Sequence, residues 1–169
     1  MKTQKLGWTE LELTPIGLGT WAMGGGEWKF GWGPQDDQAS IQAIHRALDL
    51  GINWIDTAAI YGHGRSERVE GEAIKVHRDN LIIATKCARV WEEGSIEIGK
   101  SLKAESVRKE VENSLKRLNI DVIDLYQIHW PEPDEDIEEG WHTMAELVKE
   151  GKVRFVGVSN FSLDQLKHV

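Results

Sequence analysis

Side chains that can transfer protons or hydrogen-bond a ligand recur at the ends of short apolar runs in this sequence. Asp56, Lys86 and His129 each close such a run, and Tyr61 follows Asp56 by five residues. A later run closes with Ser159. If the runs are parallel strands, their carboxyl ends meet at one edge of a sheet, where ligands bind in α/β folds. We therefore expect these side chains to converge.

The types of these residues suit proton transfer to a carbonyl group. Lys86 and Asp56 carry the charges of a buried ion pair, and we expect their charged atoms within about 4 Å of each other. An ammonium beside the Tyr61 hydroxyl favours the phenolate, so we expect the pKa of Tyr61 to lie below its usual value of about 10. Such a tyrosine can act as a general acid, and His129 can hydrogen-bond the same carbonyl oxygen. No side chain supplies a hydride, whereas a nicotinamide cofactor does.

Each residue also has a structural interpretation when taken alone. Asp56 before Thr57 is compatible with a turn or a helix cap. Tyr61 is compatible with a loop aromatic whose hydroxyl meets water, and His129 with a structural histidine. Lys86 is harder to explain this way, because a charge that ends an apolar run needs a partner. The shared position of the residues favours the chemical interpretation.

Elements that would position these residues alternate along the chain. Five β-rich runs recur about every 30 residues: Ile16–Thr20, Ile52–Asp56, Leu81–Lys86, Val122–His129 and Val153–Ser159. Helical spacing of apolar residues lies between them, in the stripes Ile41, Ile44, Leu48; Val107, Val111, Leu115, Leu118; and Ile137, Trp141, Met144, Val148. Gly51 and Gly151 are typical of residues that end a helix, and Ser162 of a cap for a last helix beginning at Leu163.

Alternating strands and helices predict a parallel α/β sheet, either doubly wound or a barrel. Gly17 and Gly19 are not followed by the third glycine of a G-x-G-x-x-G motif, which argues against the doubly wound dinucleotide-binding type. Ahead of the first strand, residues 5–8 and 11–13 are typical of a small hairpin. Cys87 follows Lys86 on a strand, so its side chain should point to the opposite face, toward the helices.

Composition narrows the class of protein. The chain has 169 residues and a formal net charge of −8. That balance disfavours nucleic acid and anionic membrane surfaces as partners. Neither a membrane-spanning apolar stretch nor a signal peptide is expected, and the single cysteine, Cys87, excludes an intrachain disulfide. We therefore expect a cytoplasmic protein, and we predict no metal site.

Motifs in the chain resemble those of the aldo-keto reductase family, in the family's order and with similar spacing. The resemblance runs from about Leu6 to the end of the chain, and it is carried by Gly17–Trp21, Asp56–Gly62, Thr85–Lys86, Gln127–Pro131 and Gly157–Phe161. It implies a (β/α)8 TIM barrel with an N-terminal β-hairpin closing its bottom. We count about five of the eight strands. The expected organisation is one domain over 1–169, with the hairpin at 1–15 and truncated βα units one to five at 16–169.

The resemblance also implies roles for individual residues. Tyr61 would be the proton donor, tuned by Lys86 and Asp56, and His129 would orient the substrate. The nicotinamide end of the cofactor would meet Gly19, Thr20, Trp21, Asp56, Ser159 and Asn160, with the last two holding its carboxamide. Trp21, Trp91 and Trp130 would wall the substrate pocket, and Ser66 would cap the second helix.

These implications lead to one function and two alternatives. The expected function is reduction of aldehydes or ketones to alcohols, with NADPH favoured over NADH as the family default. The side chains that stack on the nicotinamide and bind the adenosine phosphate would lie in strands six to eight. One alternative is a non-enzymatic nicotinamide-binding regulatory subunit. The other is an inactive half-barrel that self-associates through its open edges, since five strands do not close a barrel.

Overall fold

The computed structural model describes residues 1–169, apart from the side chain of Asn80. Strands and helices alternate through most of the chain. In chain order they are β1 (Gln4–Lys5), β2 (Glu12–Leu13), β3 (Leu18–Gly19), α1 (Asp37–Asp49), β4 (Trp54–Asp56), α2 (Arg65–Ile74), β5 (Ile82–Cys87), β6 (Arg89–Val90), β7 (Gly99–Lys100), α3 (Ala104–Leu118), β8 (Ile123–Ile128), α4 (Ile137–Lys149) and β9 (Val153–Val158). Short 3-10 turns occupy Trp21–Gly24, Arg78–Asn80, Asp134–Asp136 and Gln165–His168.

The main sheet contains five parallel strands in the order β3-β4-β5-β8-β9, as the alternating pattern predicts. Gly19 pairs with Asp56, and Lys86 pairs with Gln127. Ile128 pairs with Val158, so β8 and β9 end level with each other. The residues that follow these strands therefore emerge along one edge of the sheet.

Side chains alternate between the two faces of β5. Ile83 and Cys87 face the helices and belong to the main apolar core. Ile82 and Ala84 face the other side, where they line a cavity of about 450 Å³. The Cys87 sulfur lies 3.8 Å from the Met144 sulfur on α4, which confirms the predicted direction of this side chain.

Helices α1 to α4 pack side by side in sequence order and cover one face of the sheet. Their predicted apolar stripes supply buried residues such as Ile44, Val107 and Met144. Gly51 and Gly151 directly follow the capping residues of α1 and α4 and adopt φ of 84° and 76°. The left-handed conformation expected of glycines that end a helix is therefore present.

The N-terminal hairpin pairs β1 with β2, as predicted, and packs across the beginning of the sheet. The Asn53 side chain, just before β4, receives a hydrogen bond from the Thr14 backbone at 2.9 Å and donates to Glu12 O at 2.7 Å. Arg154 on β9 binds Glu10 at 3.0 Å. The hairpin thus lies at the end of the strands opposite to the predicted site.

Three features differ from the sequence predictions. The first strand is limited to Leu18–Gly19, and β6 and β7 form an extra antiparallel pair. The last turn is a 3-10 helix that begins at Gln165, although the Ser162 hydroxyl does accept a hydrogen bond from Gln165 N at 3.2 Å. Among the described helices, none has the length and apolar character needed to cross a membrane.

Candidate active site

Lys86 is the most completely bonded of the predicted site residues. Its buried Nζ donates to both carboxylate oxygens of Asp56, each at 2.8 Å, and to Thr57 O at 2.7 Å. An ammonium has three donors, so these acceptors can use all of them. The predicted ion pair is confirmed, and it fixes the end of β5 to the loop that follows β4.

Tyr61 lies in that loop, and its side chain is buried. The Lys86 ammonium is 5.5 Å from the centre of its ring. The prediction of a lowered Tyr61 pKa is wrong. Burial raises this pKa above its usual value, and the carboxylates of Asp56 and Glu70 raise it further. The lysine charge does not prevent this, because its hydrogen bonds go to Asp56 and Thr57.

His129 follows β8 and faces the tyrosine edge-on, with the ring centres 5.9 Å apart. Its backbone is anchored on both sides, because His129 N donates to Cys87 O at 3.2 Å and Asn160 Nδ2 donates to His129 O at 2.8 Å. Burial, together with the charges of Lys86 and Arg89, lowers the pKa of His129 to about 3. The imidazole is therefore neutral near pH 7. Its Nδ1 is buried without a hydrogen-bond partner among the described residues.

The residues predicted to meet the cofactor separate into two groups. Gly19, Ser159 and Asn160 lie at strand ends beside the tetrad Asp56, Tyr61, Lys86 and His129, and a Cβ added to Gly19 would meet no atom within 4 Å. Asn160 adopts φ of 63°, and its Nδ2 also donates to Ser159 Oγ at 3.0 Å. Thr20 is fully buried, and its hydroxyl is 2.9 Å from Ser66 Oγ. Its side chain therefore faces α2 rather than the edge of the sheet.

The tryptophans predicted to wall the pocket have different surroundings. Trp21 stacks on Tyr61, with ring centres 5.8 Å apart and planes 9° from parallel. Trp91 stacks on His63 at 5.3 Å and packs against the small apolar cluster that contains Tyr61. Trp130 is exposed and lies beside the Arg89 guanidinium at 5.5 Å. Of these three, Trp21 makes the closest approach to Tyr61.

Sequence reasoning missed a group of polar side chains on α2. Glu67 and Glu70 are completely buried between this helix and the sheet. Ser66 is buried with them, so its predicted role as the cap of α2 is wrong: the helix begins at Arg65, and Gly64 occupies the cap position. A signal was present, because both glutamates lie on the same helix face as Ala73 and Ile74. Glutamates in a helix are more often solvated, which is why that signal is easily passed over.

Comparisons with known proteins agree with this fold. The model of the aldo/keto reductase family matches residues 15–169. Aldo-keto reductase YhdN of Bacillus subtilis is 49% identical over 160 residues, covering 94% of this chain and 46% of that protein. The NADH-specific methylglyoxal reductase of Escherichia coli is 41% identical over 180 residues, covering 99% and 54%.

A solved structure gives the same result for the fold. Aldo-keto reductase AKR11C1 from Bacillus halodurans, in its holo form, superposes with a TM-score of 0.89 at 31% identity, covering 99% of this chain and 53% of that one. The chain spans about half the length of these relatives. It belongs to the aldo-keto reductase family, and its parallel sheet and helices have that family's α/β fold.

Proposed function

We propose that the protein reduces aldehydes or ketones to alcohols with hydride from a bound NADPH or NADH. The observation that carries this proposal is the convergence of Asp56, Tyr61, Lys86 and His129 at one edge of the sheet. The ion pair at 2.8 Å and the ring contacts at 5.5 and 5.9 Å join the four side chains into one group. Packing alone does not require a lysine, an aspartate, a histidine and a tyrosine at the same place.

The residues at this edge fit the nicotinamide end of such a cofactor. Gly19 leaves open space beside Asp56, so a flat ring can approach the backbone there. The Ser159 hydroxyl and the Asn160 amide offer donors and acceptors that match a carboxamide. When bound, the cofactor supplies the hydride for the carbonyl carbon. Thr20 would assist only through its backbone, since its side chain is turned away.

The side chains of the tetrad divide the remaining work. Tyr61 keeps its proton at neutral pH because its pKa is raised, and it would give that proton to the carbonyl oxygen as negative charge develops there. The neutral imidazole of His129 would bind and orient the same oxygen. Lys86 and Asp56 would hold the tyrosine loop in place. Trp21 would form the pocket wall nearest the tyrosine, with Trp91 and Trp130 farther out.

We further propose that the five-stranded sheet represents βα units one to five of a (β/α)8 barrel. Residues 1–15 would be its hairpin and residues 16–169 the barrel portion of a single domain. The match from residue 15 and the half-length overlap with relatives support this division. NADPH remains our preferred cofactor, although one relative is named for NADH.

Replacing Tyr61 by phenylalanine tests the proposed function. The change removes the donated proton and keeps the ring, so we expect turnover to fall by about two to four orders of magnitude, the usual contribution of a general acid. Turnover of the intact protein, rather than of the 169-residue chain alone, is measured as loss of absorbance at 340 nm with NADPH or NADH and a panel of aldehydes. Binding of the cofactor, followed by fluorescence titration, should stay close to that of the unaltered protein.

Tyr126→Phe is the matched control, because Tyr126 is the other tyrosine of the chain and is buried on the helix-facing side of the sheet. It should retain full turnover. Unchanged turnover in Tyr61→Phe would reject the mechanism. Cofactor binding without turnover in the unaltered protein would favour the regulatory subunit instead.

A further inference from the structure

Four buried polar side chains form a connected group directly behind the proposed catalytic residues. Ser66 Oγ lies 2.9 Å from Thr20 Oγ1 and 3.3 Å from both Thr57 Oγ1 and Glu70 Oε1. All four residues are completely buried. The group reaches the site through Thr57, whose carbonyl oxygen accepts from the Lys86 ammonium at 2.7 Å.

Glu70 has few hydrogen-bond donors for an ionised carboxylate. A carboxylate has about four acceptor sites, whereas each hydroxyl of the group carries a single proton. The contact from Ser66 to Oε1 is long, and Oε2 has no partner among the described residues. Leaving a charged oxygen buried and unpaired is far more costly than leaving a neutral one. The hydrogen-bond geometry therefore favours a protonated Glu70.

The charges around Glu70 lead to the same result. Its neighbour on α2, Glu67, binds Arg117 of α3 at 2.6 Å and Thr85 of β5 at 2.6 Å, so the cation on that side is already paired. On the sheet side, the Lys86 ammonium is paired with Asp56. Burial raises the pKa of Glu70 to about 8, and it outweighs the hydrogen bonds from the Thr20, Thr57 and Ser66 hydroxyls, which lower this pKa, while the charge of Glu67 raises it further.

Tyr61 is the group that would sense the charge of Glu70. The carboxylates of Asp56 and Glu70 both raise the pKa of Tyr61. Asp56 is balanced by Lys86, but no described cation contacts Glu70. If Glu70 releases its proton to solvent, an uncompensated negative charge opposes the loss of a proton from Tyr61.

We propose that Glu70 is a positioning residue. Its carboxyl, held neutral by its own proton, completes the hydrogen-bonded cluster with Thr20, Thr57 and Ser66 and keeps a second negative charge away from Tyr61. This role rests on the proposed carbonyl reduction. It assigns no contact between Glu70 and substrate. The neutral carboxyl acts by supporting the loop that carries Tyr61 and by leaving the electrostatic potential at the Tyr61 hydroxyl free of a further negative charge.

The first test is the pH dependence of kcat with saturating NADPH and aldehyde. In the unaltered intact protein we expect kcat to fall severalfold between pH 7 and pH 9.5, with a midpoint near 8, because an ionised Glu70 makes Tyr61 a weaker acid. Glu70→Gln keeps the shape of the side chain but cannot ionise, so its profile should be flat over this range. Its kcat at pH 7 should lie within about threefold of the original.

Glu72→Gln is the matched control, since Glu72 is exposed on the same helix and binds Lys75. It should reproduce the profile of the unaltered protein. A flat profile in the unaltered protein would overturn the proposal, and so would a decline that persists in Glu70→Gln. A merely structural role of Glu70 would change stability in the variant without removing the decline.

A second measurement needs neither turnover nor a stable Glu70 variant. Glu110 is another buried carboxyl whose pKa burial raises, to about 7, so the Glu110→Gln protein serves as background. Its infrared spectrum should show the carbonyl stretch of a protonated buried carboxyl at pH 7, and this band should disappear by pH 10. Absence of the band at pH 7 would overturn the proposal.

The two proposals fail in different ways. If Tyr61→Phe keeps its turnover, or if the unaltered protein has none, the proposed reduction fails and the positioning role fails with it, even where the infrared band is present. If Tyr61→Phe loses turnover and the decline above pH 7 survives in Glu70→Gln, only the role of Glu70 is rejected.

Discussion

Lys86 illustrates how the partners of a charge decide its effect on a neighbour. A free ammonium beside a phenol would stabilise the phenolate. Here the ammonium is bonded to the Asp56 carboxylate at 2.8 Å. Burial raises the pKa of Tyr61, and the negative charge of that carboxylate raises it further. The lysine fixes the loop that carries Tyr61, and in the proposed reaction the tyrosine would keep its proton until the carbonyl oxygen accepts it.

The lowered pKa of His129 predicts that the folded protein loses stability in acid. Its pKa is about 3 in the folded protein and 6.5 in an unfolded chain, so below pH 6.5 the unfolded state binds the extra proton. The free energy of unfolding should therefore fall as the pH drops from 7 to 5. In His129→Asn this contribution is absent, so urea unfolding at pH 7, 6 and 5 should show a smaller loss.

His142→Asn is the control for this measurement, because His142 is exposed on α4. Its stability should follow that of the unaltered protein at each pH. Parallel curves for His129→Asn and the unaltered protein would show that the imidazole is not held neutral by the fold.

At the scale of elements, two turns touch backbone to backbone beside the proposed site. A Cβ on Gly24, in the turn Trp21–Gly24, would lie 2.6 Å from Gly62 N. One on Gly62 would lie 2.1 Å from Gly24 O. This close approach brings the turn that carries Trp21 against the loop that carries Tyr61. The stacking of the two rings thus depends on residues without side chains.

Replacing Gly24 by alanine should separate these turns. Because the contact is with backbone, we expect destabilisation by about 1–3 kcal/mol, measured as the free energy of unfolding in urea. Near-ultraviolet circular dichroism should change as Trp21 moves off Tyr61. Gly157→Ala is the control, since its added Cβ would make ordinary contacts of 3.5 Å or more. Equal stability of both variants would show that the turns are not closely packed.

Elements with a clear period could be predicted from the sequence, and those defined by single contacts could not. Strands β4, β5, β8 and β9 and helices α1, α3 and α4 follow from runs and stripes of apolar residues. The first strand is shorter than predicted. Just before it, the Trp54 ring packs so closely on Gly17 that a Cβ added there would lie 2.2 Å from a ring atom. The β6–β7 pair rests on two residues per strand, which is too few to leave a pattern.

The site shows the same division. The Lys86–Asp56 pair follows from residue type and strand position, because a buried ammonium needs a carboxylate. The protonation state of Tyr61 depends on burial and on Glu70, which belongs to another element. Neither the burial of Tyr61 nor the approach of Glu70 can be predicted from the run of residues around Tyr61. Whether each side chain of the tetrad performs its proposed role remains a prediction.

At the scale of the whole molecule, the sheet has two unpaired edges among the described residues, β3 and β9. Unpaired strands present donors and acceptors to other chains. We therefore expect the 169-residue chain, studied on its own, to self-associate and to bind NADPH weakly. Light scattering across a range of protein concentrations, combined with NADPH titration, checks both expectations. A monodisperse monomer that binds NADPH at micromolar concentration would contradict them.

The order of the sheet also bears on how the molecule forms during synthesis. Each strand of the main sheet after β3 pairs with the sheet strand before it in the chain, so each new unit emerging from the ribosome finds its partner already made. Contacts between neighbouring units close short loops and are reached quickly. The hairpin is the exception, since Trp8 packs edge-on against Phe155 at 5.6 Å. The contact between the hairpin and β9 can therefore form only after β9 has been made.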